Sequence, residues 1–153
     1  MTKSCAKKVI LITDAGSVIG EAIARHLASR GHRVMLGGRY LDRIAMLSRD
    51  IVRGGGVAKY QELDVTSHGS LRAFLVIAEA CHGRIDALVN TAGMTAGIVA
   101  VLPVLKAQGV AHVIHVPTDH ALQGRAIAEA IDDAIDRPGH FDIGKMISQT
   151  MQA

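Results

Sequence analysis

Short aliphatic runs alternate with longer segments of helical period along this chain, and that alternation limits the folds open to it. Residues 8–14 (KVILITD) form an apolar run that ends in turn residues. Residues 17–30 then place Val18, Ile19, Ala22, Ile23, His26 and Leu27 on one helical face, and Gly31 stops the helix. Runs at 32–37, 57–65, 85–90 and 111–116 repeat the first pattern, and segments 41–53, 67–82, 96–107 and 122–136 repeat the second. Pro103 should kink or restart the fourth helix, and Pro138-Gly139 breaks the last. Residues 141–148 suit either a short strand or a frayed helix. Alternating units with short joints imply an α/β fold: a parallel, doubly wound sheet in three layers, Rossmann-like and short. No linker or repeat divides the chain, so residues 1–153 read as a single domain.

Composition narrows the partners. Hydrophobic residues make up 49% and aromatics only 3%, so the core must be aliphatic. Single-strand nucleic-acid binding relies on aromatic platforms, which this chain lacks. Net charge is +3, with the basic residues scattered apart from Lys3, Lys7 and Lys8, which read as a solvated end. Neither a nucleic-acid nor a membrane partner is expected, since no run of about 18 residues is free of charges and polar breaks. Cys5 and Cys81 form no CxxC pair, and the opening residues lack the long apolar stretch of a signal peptide. Both features fit a reducing cytoplasm. His112 and His115 should project to opposite faces of a strand, which separates them as metal ligands, and neither they nor His120 with Asp119 are expected to bind metal.

In a sheet of this kind, ligands lie beyond the carboxyl ends of the strands. Those ends are Thr13 to Gly16, Gly37 to Tyr40, Asp64 to Thr66, Asn90 to Gly93 and Val116 to Asp119. The first joint, TDAGSVIG, puts glycines before a helix start, where backbone N–H groups and the positive helix end can receive a phosphate. On spacing alone, such a turn serves a phosphate cradle or plain helix–strand packing equally well.

Read together, the strand ends go further. Thr13-Asp14-Ala15-Gly16-Ser17-Val18-Ile19-Gly20 resembles the TGxxxGxG turn of the short-chain dehydrogenase/reductase family. Leu36-Gly37-Gly38-Arg39 resembles that family's second-strand end, Leu63-Asp64-Val65-Thr66 its adenine-contacting segment, and Val89-Asn90-Thr91-Ala92-Gly93 its NNAG segment. Residues 101–109, 113–118 and 126–147 are similar to later parts of the family pattern. The resemblance implies a nicotinamide dinucleotide held by Thr13, Asp14, Gly16, Ser17, Ile19, Gly20, Arg39, Asp64, Val65, Asn90, Ala92 and Gly93. Arg39 in place of an acidic residue implies NADP(H) rather than NAD(H), because a guanidinium can pair with a 2′-phosphate. Asp64 either accepts from the adenine amino group or caps the helix near Ser67, and Asn90 either braces the switch point or faces the cofactor.

The chain also departs from the pattern. Asp14 and Val18 replace family glycines: valine should crowd a pyrophosphate, and a carboxylate about 6 Å away should repel it by roughly 3 kcal/mol. Gly16 is expected to restore the turn with a positive φ. Two internal blocks are missing, one between Gly93 and about Gly97, the other between about Ala121 and Gln123. The second should carry YxxxK, yet no tyrosine follows Tyr60 and only Lys145 follows Lys106. Thr118 stands at the catalytic serine's position. A hydroxyl without an activated partner transfers no proton at neutral pH, so binding without efficient turnover is expected. One alternative is a non-catalytic scaffold or partner-binding subunit, self-associating through residues 96–108. A remoter one is a receiver-like phospho-Asp domain built on Asp14, Asp64 and Thr91, though Pro117-Thr118-Asp119 lacks the lysine it would want.

Overall fold

A computed structural model describes residues 7–91, 103–110, 112–116 and 124–135. In order, the elements are β1 (Val9–Ile12), α1 (Val18–Ser29), β2 (Arg33–Gly38), α2 (Leu41–Arg53), β3 (Val57–Glu62), α3 (His68–His82) and β4 (Ala87–Asn90). A helical turn at 103–107 (α4), β5 (His112–His115) and α5 (Gly124–Ile135) complete them. Pro103 opens α4, as a proline in a first turn can without losing a helix hydrogen bond. Residues 96–102 and 141–148 lie outside the described residues.

The strands form one parallel sheet in the order β3-β2-β1-β4-β5. The order reverses at β1, so the switch point falls between β1 and β4. All four residues of β1 and of β4 are buried, which explains unbroken aliphatic runs: each strand is covered on both faces. On one face, Ile10, Ile12, Val34 and Leu36 pack with Ile23, Leu27, Ile44 and Ile131 from α1, α2 and α5. On the other, Leu11, Met35, Leu88 and Val113 pack with Leu71, Phe74 and Leu75 of α3 and Leu105 of α4. The chain is thus a Rossmann-like, three-layer α/β protein. Leu105, in the stretch expected to self-associate, is itself fully buried.

Beyond the amino ends of the strands, a buried polar chain ties α5 to the sheet. The Lys8 amide donates to His32 Nδ1 at 3.2 Å, so Nε2 carries the ring proton and donates to Asp132 Oδ1 at 2.9 Å. Arg30 Nε donates to the other oxygen at 3.0 Å. No helix among the described residues is long and apolar enough to cross a membrane.

Candidate functional site

The turn after β1 is fixed by its own hydrogen bonds. The Asp14 carbonyl accepts from the Ser17 amide at 3.3 Å, from Ser17 Oγ at 2.9 Å and from Thr91 Oγ1 at 3.1 Å. Ser17 Oγ in turn accepts from the Gly20 amide at 2.9 Å, which makes Ser17 the N-cap of α1. A Cβ on Gly20 would lie 1.9 Å from the Asp14 carbonyl oxygen, so this glycine is what lets α1 start against the turn. The amides of Val18 and Ile19 have no acceptor among the described residues and form the open end of the helix.

One expectation for this turn needs correction. Gly16 does not have a positive φ; among the described residues only Gly31, Gly55, Gly83 and Gly109 do. A Cβ there would meet nothing closer than 3.9 Å, because the Ser17 cap closes the turn without a left-handed residue. Val18 opens α1 with its side chain 83% exposed, beside the helix end where a pyrophosphate is expected.

Beside the turn, the carboxyl ends of β1, β2 and β3 enclose a cleft of about 290 Å³. Buried Leu63 and Val65 line its base, and Asp14, Arg39, Tyr40 and Asp64 surround it. Glycines at the end of β2 let Leu63, Phe74 and Ile44 pack against the strand beside the cleft. A Cβ on Gly37 would come within 2.7 Å of Leu63 Cδ2, and one on Gly38 within 3.1 Å of Ile44 Cγ2. Asp64 does not cap α3, since Ser67 does so by accepting from the Ser70 amide at 3.2 Å. Instead Asp64 Oδ1 accepts from the Thr66 hydroxyl at 2.6 Å and the Thr66 amide at 3.0 Å. Those two bonds hold its carboxyl below the usual carboxylate range, with a smaller contribution from the Arg39 charge. Asp14 is shifted the other way: burial raises its pKa, and the Arg43 guanidinium offsets only part of that.

At the switch point Asn90 is a brace. Its Oδ1 accepts from the buried Thr13 hydroxyl at 2.9 Å, and its Nδ2 donates to His115 Nδ1 at 3.0 Å. The Thr91 amide donates to Thr13 Oγ1 at 3.1 Å, which closes the network. Burial holds His115 below its ordinary value, consistent with a neutral ring that accepts from the amide. Of the remaining predicted residues, Ala92, Gly93 and Thr118 lie outside the described residues, as does His120 with Asp119. Among the described residues, no group of three or more His, Cys, Asp or Glu side chains could hold a metal ion.

The structure therefore brings Asp14, Arg39, Asp64 and Val65 around one cleft, with Gly16, Ser17, Ile19 and Gly20 in the turn beside it. It adds Tyr40 at the cleft and the Arg43 charge acting on Asp14, neither of which sequence reasoning placed among the binding residues. Arg43 had a signal, four residues beyond Arg39 in the first turn of the next helix.

The family model described as short chain dehydrogenase matches residues 8–119. A protein of Streptomyces virginiae, named as a ketoacyl reductase of the monensin polyketide synthase, is 42% identical over 97 residues, covering 63% of this chain and 37% of that protein. An uncharacterized oxidoreductase of Listeria innocua is 30% identical over 132 residues, covering 70% of this chain and 53% of that protein. Since 132 exceeds 70% of 153, that alignment is gapped on this chain's side. The chain spans only about a third to a half of the length of these curated relatives. Among solved structures, a metagenomic short-chain oxidoreductase in complex with NADP is 26% identical with a TM-score of 0.65, covering 80% of this chain and 68% of the other. An NAD+-bound xylitol dehydrogenase, 23% identical with a TM-score of 0.66 over 74% of this chain and 54% of the other, shares the fold.

Proposed function

Because this chain belongs to the short chain dehydrogenase family, we propose that residues 1–153 form one domain whose sheet margin binds a nicotinamide dinucleotide, NADP(H) in preference to NAD(H). The observation that carries the proposal is the cleft at the ends of β1–β3, with Arg39 at its rim and no carboxylate at the end of β2. The chain's residues fit the group. Open amides of Val18 and Ile19 would receive the pyrophosphate, and Gly20 lets α1 start against the turn so that those amides stand at the sheet margin. Asp64 would accept from the adenine amino group, and Arg39 would pair with the ribose 2′-phosphate. Asn90, with both ends of its amide engaged by Thr13 and His115, would hold the switch point open rather than contact the ligand.

When bound, the dinucleotide supplies a hydride donor or acceptor, but proton transfer to a substrate is the protein's task. The sequence offers Thr118 at the serine position and no YxxxK. Efficient carbonyl reduction is therefore not part of the proposal. Calorimetry with NADPH and NADH tests the binding. Arg39→Ala should weaken NADPH by about tenfold, the loss of one charge-assisted contact, and leave NADH nearly unchanged. Equal losses would reject the 2′-phosphate assignment. Sustained NADPH oxidation with a carbonyl panel, abolished by Thr118→Ala, would overturn the view that turnover is lost.

A further inference from the structure

We infer that Arg33, Lys59 and His82 form a binding site for a dianionic phosphate group at the amino margin of the sheet, away from the cofactor cleft. The register of the sheet brings the first two together. Arg33 pairs with Val57 and Met35 with Lys59, so Arg33 and Lys59 stand diagonally on adjacent strands, on the same face as Met35. That is the α3 face, since Met35 packs with Leu71, Phe74 and Leu75. α3 leads on to the amino end of β4, so its last residue, His82, lies at the same margin. Both cations act on the His82 ring: burial first, then the charges of Arg33 and Lys59, hold it below its ordinary value.

The three groups offer donors and nothing to neutralise them. His82 is only 9% exposed, and its buried Nε2 has no hydrogen-bond partner among the described residues. Neither Arg33 nor Lys59 makes an ion pair among the described residues. The carboxylates near the end of α3 are engaged elsewhere. Glu79 Oε2 accepts from Gln108 Nε2 at 2.9 Å, and Asp86 accepts from the Val9 amide at 2.8 Å and from Arg84 Nε at 3.1 Å. Like charges set side by side on neighbouring strands repel, and a buried polar atom left unpaired is costly. Local rules broken together without structural return are where function is expected. A phosphate group supplies what is missing: two negative charges, a pair of oxygens for the Arg33 fork, and further acceptors for the Lys59 ammonium and a ring N–H.

Inorganic phosphate is the probe, and the magnetic resonance signals of the His82 ring and the Lys59 amide are the readout, the ring assigned by its loss in His82→Leu. Phosphate should shift both signals saturably at pH 7.5. It should also raise the pH at which the ring titrates by about half a unit or more, since a bound anion and the ring proton favour each other. Sodium chloride at matched ionic strength should do neither. Arg33→Gln and Lys59→Gln should each weaken phosphate by about tenfold. Both positions are exposed, so the variants should fold, which the thermal midpoint checks. His82→Leu should melt higher, having lost an unpaired buried nitrogen, and yet bind phosphate more weakly at the Lys59 amide. Shifts that grow linearly with phosphate, or that chloride reproduces, would mean ionic screening alone and overturn the site. Phosphate affinity unchanged in Arg33→Gln and Lys59→Gln, or in His82→Leu, would overturn it equally. These signals belong to the margin away from the cleft, so their failure leaves dinucleotide binding untouched, and loss of dinucleotide binding leaves them unchanged.

Discussion

Single atoms decide much of the turn after β1. A methyl group on Gly20 cannot coexist with the Asp14 carbonyl 1.9 Å away, so α1 or the turn must move. Gly20→Ala should therefore destabilise the protein by about 2 kcal/mol or more and abolish dinucleotide binding, read from urea melts and calorimetry. Gly16→Ala, with open space and an ordinary φ, is the matched control and should cost little. Both glycines stand in the same motif, yet only the fold separates the indispensable one from the tolerant one. Asp14 carries a second consequence. Burial raises its folded pKa above the unfolded one, so its stabilising contribution is complete below about pH 4 and is lost as pH rises through the folded value. At neutral pH the half-buried carboxylate is thus a cost, partly relieved by Arg43. Asp14→Asn should stabilise the protein by less than about 1 kcal/mol at pH 7 after solvent screening, with the gain vanishing near pH 4. It should also tighten NADPH several-fold by removing a charge from the cleft wall. A urea midpoint unchanged at pH 7 would count against this account.

Elements were legible wherever local chemistry sets them. The 3.6-residue period and the glycine stop place α2 at Leu41–Arg53, as its sequence predicts. β3 reads as 57–65 but ends at Glu62, because its partner β2 ends at Gly38. The Leu63 amide still reaches the Gly38 carbonyl, and the chain then folds into the Asp64–Thr66 turn. What the sequence hides is pairing at long range. Thr13 meets Asn90 across 77 residues and Asn90 meets His115 across 25, so this network is visible only in the assembled sheet. That brace joins β1, β4 and β5 and makes the margin sensitive to acid. Burial lowers the folded pKa of His115, and burial followed by the Arg33 and Lys59 charges lowers that of His82. For a depressed folded pKa the stabilising contribution is complete above about pH 6.5 and is lost as pH falls through the folded value. The urea midpoint should therefore fall between pH 7.5 and 5, and His115→Gln should flatten that slope. An identical slope in the variant would show that the brace is not titrating.

At the scale of the molecule, the two margins of the sheet divide the work. Below the amino ends, the Lys8 amide holds His32, and His32 and Arg30 reach Asp132 of α5 across about 100 residues of sequence, His32 through a buried hydrogen bond. Above the carboxyl ends, polar groups of the strands are also satisfied, but the cleft and the open amides of α1 are left over. A ligand bound there touches β1, β2, β3 and the start of α1 together, so its binding energy should appear as stability of the whole domain. At a free concentration of 100 times Kd, a ligand specific for the folded state adds about 2.7 kcal/mol. For a domain of this size that corresponds to a rise of roughly 5–10 °C in the thermal midpoint. NADPH should produce this shift and NADH a smaller one, with the difference erased in Arg39→Ala. A midpoint indifferent to millimolar NADPH would mean that the cleft is only packing left over at the end of a sheet.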